Sequence, residues 1–294
     1  MNKHFPLFAL LAITLLFSGG CSRVTIGYNN ADLLLRYKIN DYTSFNAQQR
    51  DEIHREVDLY MRWHRKYALP EYTRFLKVLY GLVQQDGPLR KDDVARLRDE
   101  FGSLYKKTMV PLIRPSAHVL STIDSHQIEK LTKFLAEKNR EQKEESLNGS
   151  DQENLEKRAD RTIDLVEQLV GNLSREQEDK IKKMSFRVPF ATRHFIEHRE
   201  ANQARLISLL NSHAGEAQIA AYFSQWINTP ETTRTPQQLQ VIQSYEIAMD
   251  EMTSRLYELL TARQKNHLRK KILSYIEDFE NLNAESRTVS TTSR

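Results

Sequence analysis

His194 and His198 stand four residues apart, with Glu197 beside the second, in the run His194-Phe195-Ile196-Glu197-His198. On a helix that spacing is one turn, so both imidazoles can face one Zn²⁺ while the carboxylate serves as general base to a metal-bound water. Glu277 lies far enough downstream to supply a further carboxylate. The flanking Arg193 and Arg199 oppose a cation at this place, and two surface histidines on a charged helix are the favoured reading. His54 and His64 are ten residues apart, about 15 Å along a helix, too far to share a metal. The basic residues Lys180, Lys182, Lys183, Arg187, Arg193, Arg199 and Arg205 fall around their helices without forming a stripe, as on a solvated face. The sharper alternative is a patch for anionic headgroups or an acidic client. There is no glycine-rich phosphate loop, nucleophile elbow or Cys/His cluster. We therefore expect no catalytic residue, cofactor or metal site, with a zinc peptidase using residues 194–198 as the alternative.

One further residue carries chemistry of another kind. Cys21 is the sole cysteine of the 294 residues and follows Lys3, an apolar run from Phe5 to Phe17, and the small residues Ser18-Gly19-Gly20. Those are the three parts of a secretory signal. The run is too short to span a bilayer, which needs about 20 apolar residues. A lone thiol in an exported protein is a liability unless it is consumed, and acylation of Cys21 consumes it. Residues 1–20 are thus expected to be a lipoprotein signal peptide, with Cys21 lipidated. Ser18 stands where lipoprotein signals usually carry Leu. Ser22, in place of Asp, implies sorting to the periplasmic face of the outer membrane by the lipoprotein-export machinery. The expected partners are the membrane, through the acyl chains, and an envelope protein.

The elements that carry these residues are helices. Gly (9) and Pro (8) are too scarce for a β-rich chain with frequent turns, and charged residues make up 28%. Apolar residues recur at three and four spacing: Ile53, Val57 and Tyr60; Phe75, Leu79 and Val83; Val94, Leu97 and Phe101. An all-α antiparallel bundle is expected over residues 31–283, preceded by a tether (21–30) and followed by a disordered tail (284–294). Pro70 fits a helix start, and Trp63-His64-Arg65 is expected to pack on that helix as an αα-hairpin. Removing residues 1–20 takes away only Lys3, lowering the net charge of +4 by one. Nucleic acid is not an expected partner after export.

Four helix starts share one pattern: Phe45-Asn46-x-x-Gln49, Ile123-Asp124-x-x-Gln127, Leu173-Ser174-x-x-Gln177 and Leu260-Thr261-x-x-Gln264. Each is a capping box, in which the cap oxygen takes a free N–H of the first turn and Gln reaches back to the cap N–H. Their order suggests two related halves, about 45–140 and 173–283, joined by a charged connector (137–160) of two solvated helix ends and a mobile tip.

The order Tyr28-Asn29-Asn30-Ala31-Asp32, Gln49-Arg50, Trp63-His64-Arg65 and Leu69-Pro70-x-Tyr72 resembles an uncharacterised family of Gram-negative lipoproteins. That resemblance implies an exported, lipid-anchored, largely helical protein and carries over no catalytic residue. Leu260-Thr261-Ala262-Arg263-Gln264 is similar to the LTxxQ motif of the Spy and CpxP periplasmic chaperones, which implies a chaperone-like binding role. His194 to His198 is similar to the zinc motif of the inverted zincins, whose large α/β domains have no counterpart in a chain without strand patterns. The expected function is a non-enzymatic binding, scaffolding or chaperone-like role in the cell envelope.

Overall fold

The computed structural model describes residues 21–85 and 87–292, with side chains described for residues 24–85 and 87–284. The proposed signal (1–20) and the Cys21 side chain lie outside the described residues. No strand occurs among those described; the chain is all-α, as its composition predicts. The helices are α1 (Cys21–Asn29), α2 (Ala31–Asn40), α3 (Ala47–Trp63), a π-helical segment (His64–Ala68), α4 (Leu69–Gln84), α5 (Lys91–Met109), α6 (Ile113–Ser121) and α7 (Ser125–Leu147). Then follow α8 (Asp151–Val170), α9 (Arg175–Arg187), α10 (Thr192–Asn211), α11 (Glu216–Asn228), α12 (Pro236–Leu259) and α13 (Ala262–Thr292). Short 3₁₀ turns precede α6 (Val110–Leu112) and α12 (Pro230–Thr233).

Three expectations are corrected. Residues 21–30, expected as a tether, are helical through Asn29, because Val24, Tyr28, Ala31 and Leu35 form a buried stripe at helical spacing. The helix α13 continues to Thr292, where a disordered tail was expected from 284. The hairpin at Pro70 does not form: α3 and α4 are joined end to end through the π-helical segment. Proline lacks the N–H for the i→i−4 ladder and clashes with the carbonyl four residues back. Here Leu69 instead donates to the carbonyl of His64, a wider turn that admits Pro70 without breaking the rod.

All four expected capping boxes form, and they meet in pairs. Gln49 Oε1 accepts from the Asn46 N–H at 2.9 Å, and Gln127 Oε1 accepts from the Asp124 N–H at 3.0 Å. The two side-chain amides then bond each other, Gln127 Nε2 to Gln49 Oε1 at 2.7 Å and Gln49 Nε2 to Gln127 Oε1 at 3.2 Å. Each Nε2 also donates to the carbonyl two residues before the other cap, Gln49 to Thr122 at 3.1 Å and Gln127 to Ser44 at 2.7 Å. The second pair repeats the pattern. Gln177 and Gln264 bond reciprocally at 2.8 and 3.0 Å and reach Leu259 O and Asn172 O, each at 2.9 Å. Two more boxes, Ser150/Glu153 and Thr235/Gln238, were legible as S-x-x-E and T-x-x-Q but were missed.

The expected halves, 45–140 and 173–283, run through the same order of helices, yet neither encloses its own core. One core gathers Leu35, Ile53, Val57, Ala117, Ile128 and Leu131 with Leu206, Leu210, Ile219 and Tyr222 from α10 and α11. The other gathers Val166, Val170, Ile181, Met252, Tyr257 and Ile272 with Val83, Leu89 and Val94 from α4, the loop after it and α5. The halves have exchanged a helix pair. The packing is reciprocal: α4 lies on α13 as α10 lies on α7, and α5 lies on α12 as α11 lies on α6. The connector forms a turn between two helices with packed flanks. Its α7–α8 turn uses Gly149 at φ +121°, where a Cβ would sit 2.7 Å from Glu153. Ser146, Asn154 and Ala159 are buried, and α7 packs along α10.

The amide pairing explains why each of the four boxes carries Gln, since Glu would serve its own cap equally well but has no N–H₂ to give across. Gln127→Glu should therefore destabilise the protein by about 2 kcal/mol at neutral pH, the cost of an unmatched buried polar pair. Glu153→Gln, in the exposed box, should change stability by less than about 0.5 kcal/mol. Urea unfolding of both variants against the parent checks this; equal losses would refute the pairing argument.

Candidate functional site

The zinc-like motif is dispersed by its own helix. On α10 the positions Leu210, Leu206, Asn202 and His198 follow at four-residue steps, and all are buried. His198 is therefore turned inward, where its Nε2 lies 2.8 Å from Thr233 Oγ1 and 3.1 Å from Asn202 Nδ2. Burial, and then the Arg234 guanidinium, lower its pKa. His194 lies 3.5 Å from Glu197, so those two meet while His198 is spent on the α10 packing. Among the described residues no group of three His, Cys, Asp or Glu is placed to hold a metal ion, Glu277 included. Shallow concavities along α7 and α10 are lined mostly by charged residues, among them Arg140, Lys143, Glu144, Arg193, Glu197 and Glu200.

The basic residues are likewise divided among local partners. Arg199 donates to Asn139 at 2.7 Å and to Gln142, tying α10 to α7. Arg205 lies over the Tyr222 ring at 5.3 Å, Lys182 over Phe186 at 5.9 Å, and Lys180 pairs with Glu176 at 2.7 Å. Arg199 thus departs from the solvated face expected, because it is half-buried between two helices.

What the structure does gather is the set Tyr28, Asn29, Trp63, His64, Arg65 and Tyr72. The π-helical segment aims the His64 imidazole into a ring of aromatics, with Tyr72 at 5.6 Å, Tyr28 and Tyr60 at 5.7 Å, and Trp63 at 6.4 Å between centroids. Tyr28 Oη and His64 Nδ1 share a hydrogen bond of 2.8 Å. Beside it Arg65 donates to Asn29 Oδ1 and stacks over the Tyr28 ring at 5.1 Å. Tyr72 reaches Thr108 Oγ1 at 2.7 Å, and Thr108 in turn donates to the Leu104 carbonyl. Val24, Tyr28, Leu69, Tyr275, Phe279 and Leu282 close an apolar cluster around this junction. Burial lowers the His64 pKa to about 4 and raises that of Tyr28. A neutral imidazole and a protonated phenol make a durable polar contact in an apolar shell. The chemistry is that of a latch, which joins the helix starting at Cys21 to the π-helical segment and α13.

The matched family model spans residues 41–231, well over half of the chain. The chain belongs to the DUF6279 family, a family of unknown function. Neither a curated protein nor a solved structure matches it. The DUF6279 match takes in His64, Arg65 and Tyr72 but begins after Tyr28 and Asn29, and it ends before α12 and α13.

The latch predicts an acid limb in stability. Unfolding returns the imidazole to about 6.5, so between pH 6.5 and 4 the unfolded chain binds more protons. The His64 contribution is full above pH 6.5 and is lost as pH falls towards 4. Between pH 7.5 and 4.5 the parent should lose roughly 2–3 kcal/mol more than a His64→Gln variant. Urea unfolding at the two pH values measures it; parallel losses would remove His64 as the cause.

Proposed function

We propose that this chain is a lipid-anchored protein of the cell envelope, acylated on Cys21 and held on the periplasmic face of the outer membrane. Its helical body acts there by binding or scaffolding, in a chaperone-like form or otherwise, and not as an enzyme. The observation that carries the anchoring is the lone Cys21 directly after an apolar run and three small residues. No described helix is long and apolar enough to cross a membrane; in this reading the acyl chains supply the attachment. Delivery there requires the lipoprotein-export machinery, and an envelope protein is the partner to be sought by crosslinking in intact cells. The Tyr28–His64 latch supports the scaffolding part of the reading, because a body clamped to the helix beginning at Cys21 is presented in a set orientation. The LTxxQ-like stretch at 260–264 is used within the fold, where Gln264 pairs with Gln177.

The second reading, a zinc peptidase, is supported by the 3.5 Å approach of His194 and Glu197 beside a charged concavity. It is opposed by the engagement of His198 with Thr233 and Asn202.

Mass spectrometry of the mature N-terminal peptide should show acylated Cys21, and Cys21→Ser should move the protein from the membrane to the soluble fraction. An unmodified thiol in the membrane fraction would overturn the anchor. Metal analysis of the purified protein separates the two readings: stoichiometric zinc lost in a His198→Ala variant would replace scaffolding by hydrolysis.

A further inference from the structure

The first two helices are apolar on two opposite faces, and only one is covered. Val24, Tyr28, Ala31 and Leu35 point into the protein. Half a turn away, Ile26, Leu33 and Tyr37 are 61%, 58% and 64% exposed, and Leu34 beside them is 42% exposed. The spacing 26, 33, 37 places them in one line along α1 and α2, interrupted at Asn30, which is exposed and whose side-chain amide donates to the Ile26 carbonyl. The two backbones are bridged by hydrogen bonds from Asn30 N to Ile26 O and from Leu34 N to Asn30 O. Such residues scattered singly need no explanation, but a line of them opposite a buried face does. The covered face is fixed by the Tyr28–His64 bond and the Arg65–Asn29 contact, so the open face has no freedom to turn inward.

We propose that this face lies in the interfacial layer of the bilayer, as an in-plane amphipathic segment continuous with the anchor. The inference rests on the acylation of Cys21 proposed above and goes beyond it by naming the protein surface that meets lipid. Ile26 is five residues from Cys21, about 7.5 Å along a helix, so the exposed line begins within about one and a half turns of the anchor. A bound acyl chain at Cys21 thus brings the exposed line to the membrane before any other partner. Its chemistry suits that layer. Lys38 lies over the Tyr37 ring at 5.4 Å, an aromatic body with a cationic tip. The acids nearby are paired: Asp32 and Asp58 share Arg36, the former at 3.6 Å, and Asp41 pairs with Lys38 at 3.6 Å, which leaves a single net negative charge on the set. A second copy or another envelope protein would cover the same residues equally well by area alone, but the adjoining anchor selects lipid.

Because Cys21 is the sole cysteine, a second thiol can be placed and labelled specifically once Cys21 is acylated. Ile26→Cys, Leu33→Cys and Tyr37→Cys, each carrying a nitroxide, are to be compared with Ile247→Cys, an exposed position on α12. The full-length protein is purified from membranes and placed in vesicles of phosphatidylethanolamine and phosphatidylglycerol. The three labels should be several-fold more accessible to dissolved oxygen, and less to a water-soluble nickel chelate, than the label at 247. Acylated protein floating with the vesicles but with all labels in water overturns this proposal and leaves the anchor standing. An unacylated chain counts against the anchor alone, and the same labels, after the chain is added to the same vesicles with Cys21→Ser, still decide the face by depth. Shielding found only where crosslinking captures a protein on these residues also overturns it.

Discussion

Two helix starts placed side by side bring together the positive ends of two peptide dipoles and several unpaired N–H groups, an arrangement that is unfavourable unless something negative lies between them. Here the answer is a pair of side-chain amides. Each Gln oxygen accepts from its own cap and from the other Gln, and each Gln nitrogen donates to the other Gln and to a carbonyl just before the other cap. Every donor and acceptor of both amides is engaged, which is the condition under which buried polar groups specify a geometry instead of weakening it. The pair at α3 and α7 and the pair at α9 and α13 fix where four long helices begin. Phe45, Ile123 and Leu260 sit just before three of those starts and are buried, with Leu173 packed less deeply at the fourth. The polar pair and its apolar neighbours thus set position and direction together.

With those starts fixed, the exchange of helices between halves becomes a matter of how the chain leaves one core for the other. On the first side it leaves as a single rod, α3 through the π-helical segment into α4, and Pro70 is absorbed by the wider turn. On the second side the rod is broken at Val188-Pro189, and Arg158 bonds the carbonyls there, reaching Val188 at 2.8 Å and Pro189 at 3.0 Å. The two crossings solve one problem by different local means. Residues 41–231 omit α12, α13 and the link between them, which supply Met252, Tyr257, Leu260 and Ile272 to the second core and Gln264 to the second amide pair. The matched span alone would leave Val83, Val94 and Ile181 facing water.

What was legible in the sequence divides by range. Capping boxes are local, written in four consecutive residues, and all four were readable; that they face each other across 78 and 87 residues is a long-range fact no spacing encodes. Proline rules are local too, and they misled at Pro70, because a helix start and a π-turn inside a rod present the same residues. The histidine motif shows the same boundary. The one-turn spacing of His194 and His198 is visible in the sequence, but the rotation of α10 is set by its partners. A signal was available, since four-residue steps back from Leu210 and Leu206 pass through Asn202 to His198. The latch is half legible: Tyr28, Asn29, Trp63, His64, Arg65 and Tyr72 stand together in the family-like motif, while their convergence on one imidazole depends on the π-helical segment.

The latch also settles how the ends of the described chain relate to its centre. Tyr28 on α1 meets His64 in the π-helical segment, and Phe279 on α13 lies against Tyr72 of α4 at 6.3 Å. The helix α13 begins at the Gln177–Gln264 pair and runs through the second core to the cluster around Tyr28. One helix therefore connects an amide pair, a core and the latch. The rod of α3 and α4 does the same from the other side, starting at the Gln49–Gln127 pair and passing His64 on the way to Val83. Both rods meet α1, so a restraint applied where α1 begins is transmitted to both cores through packed helices and not through a flexible linker. For a body attached at that point, orientation follows from the fold itself, and the surfaces presented away from the attachment are chosen by the same contacts that stabilise the protein.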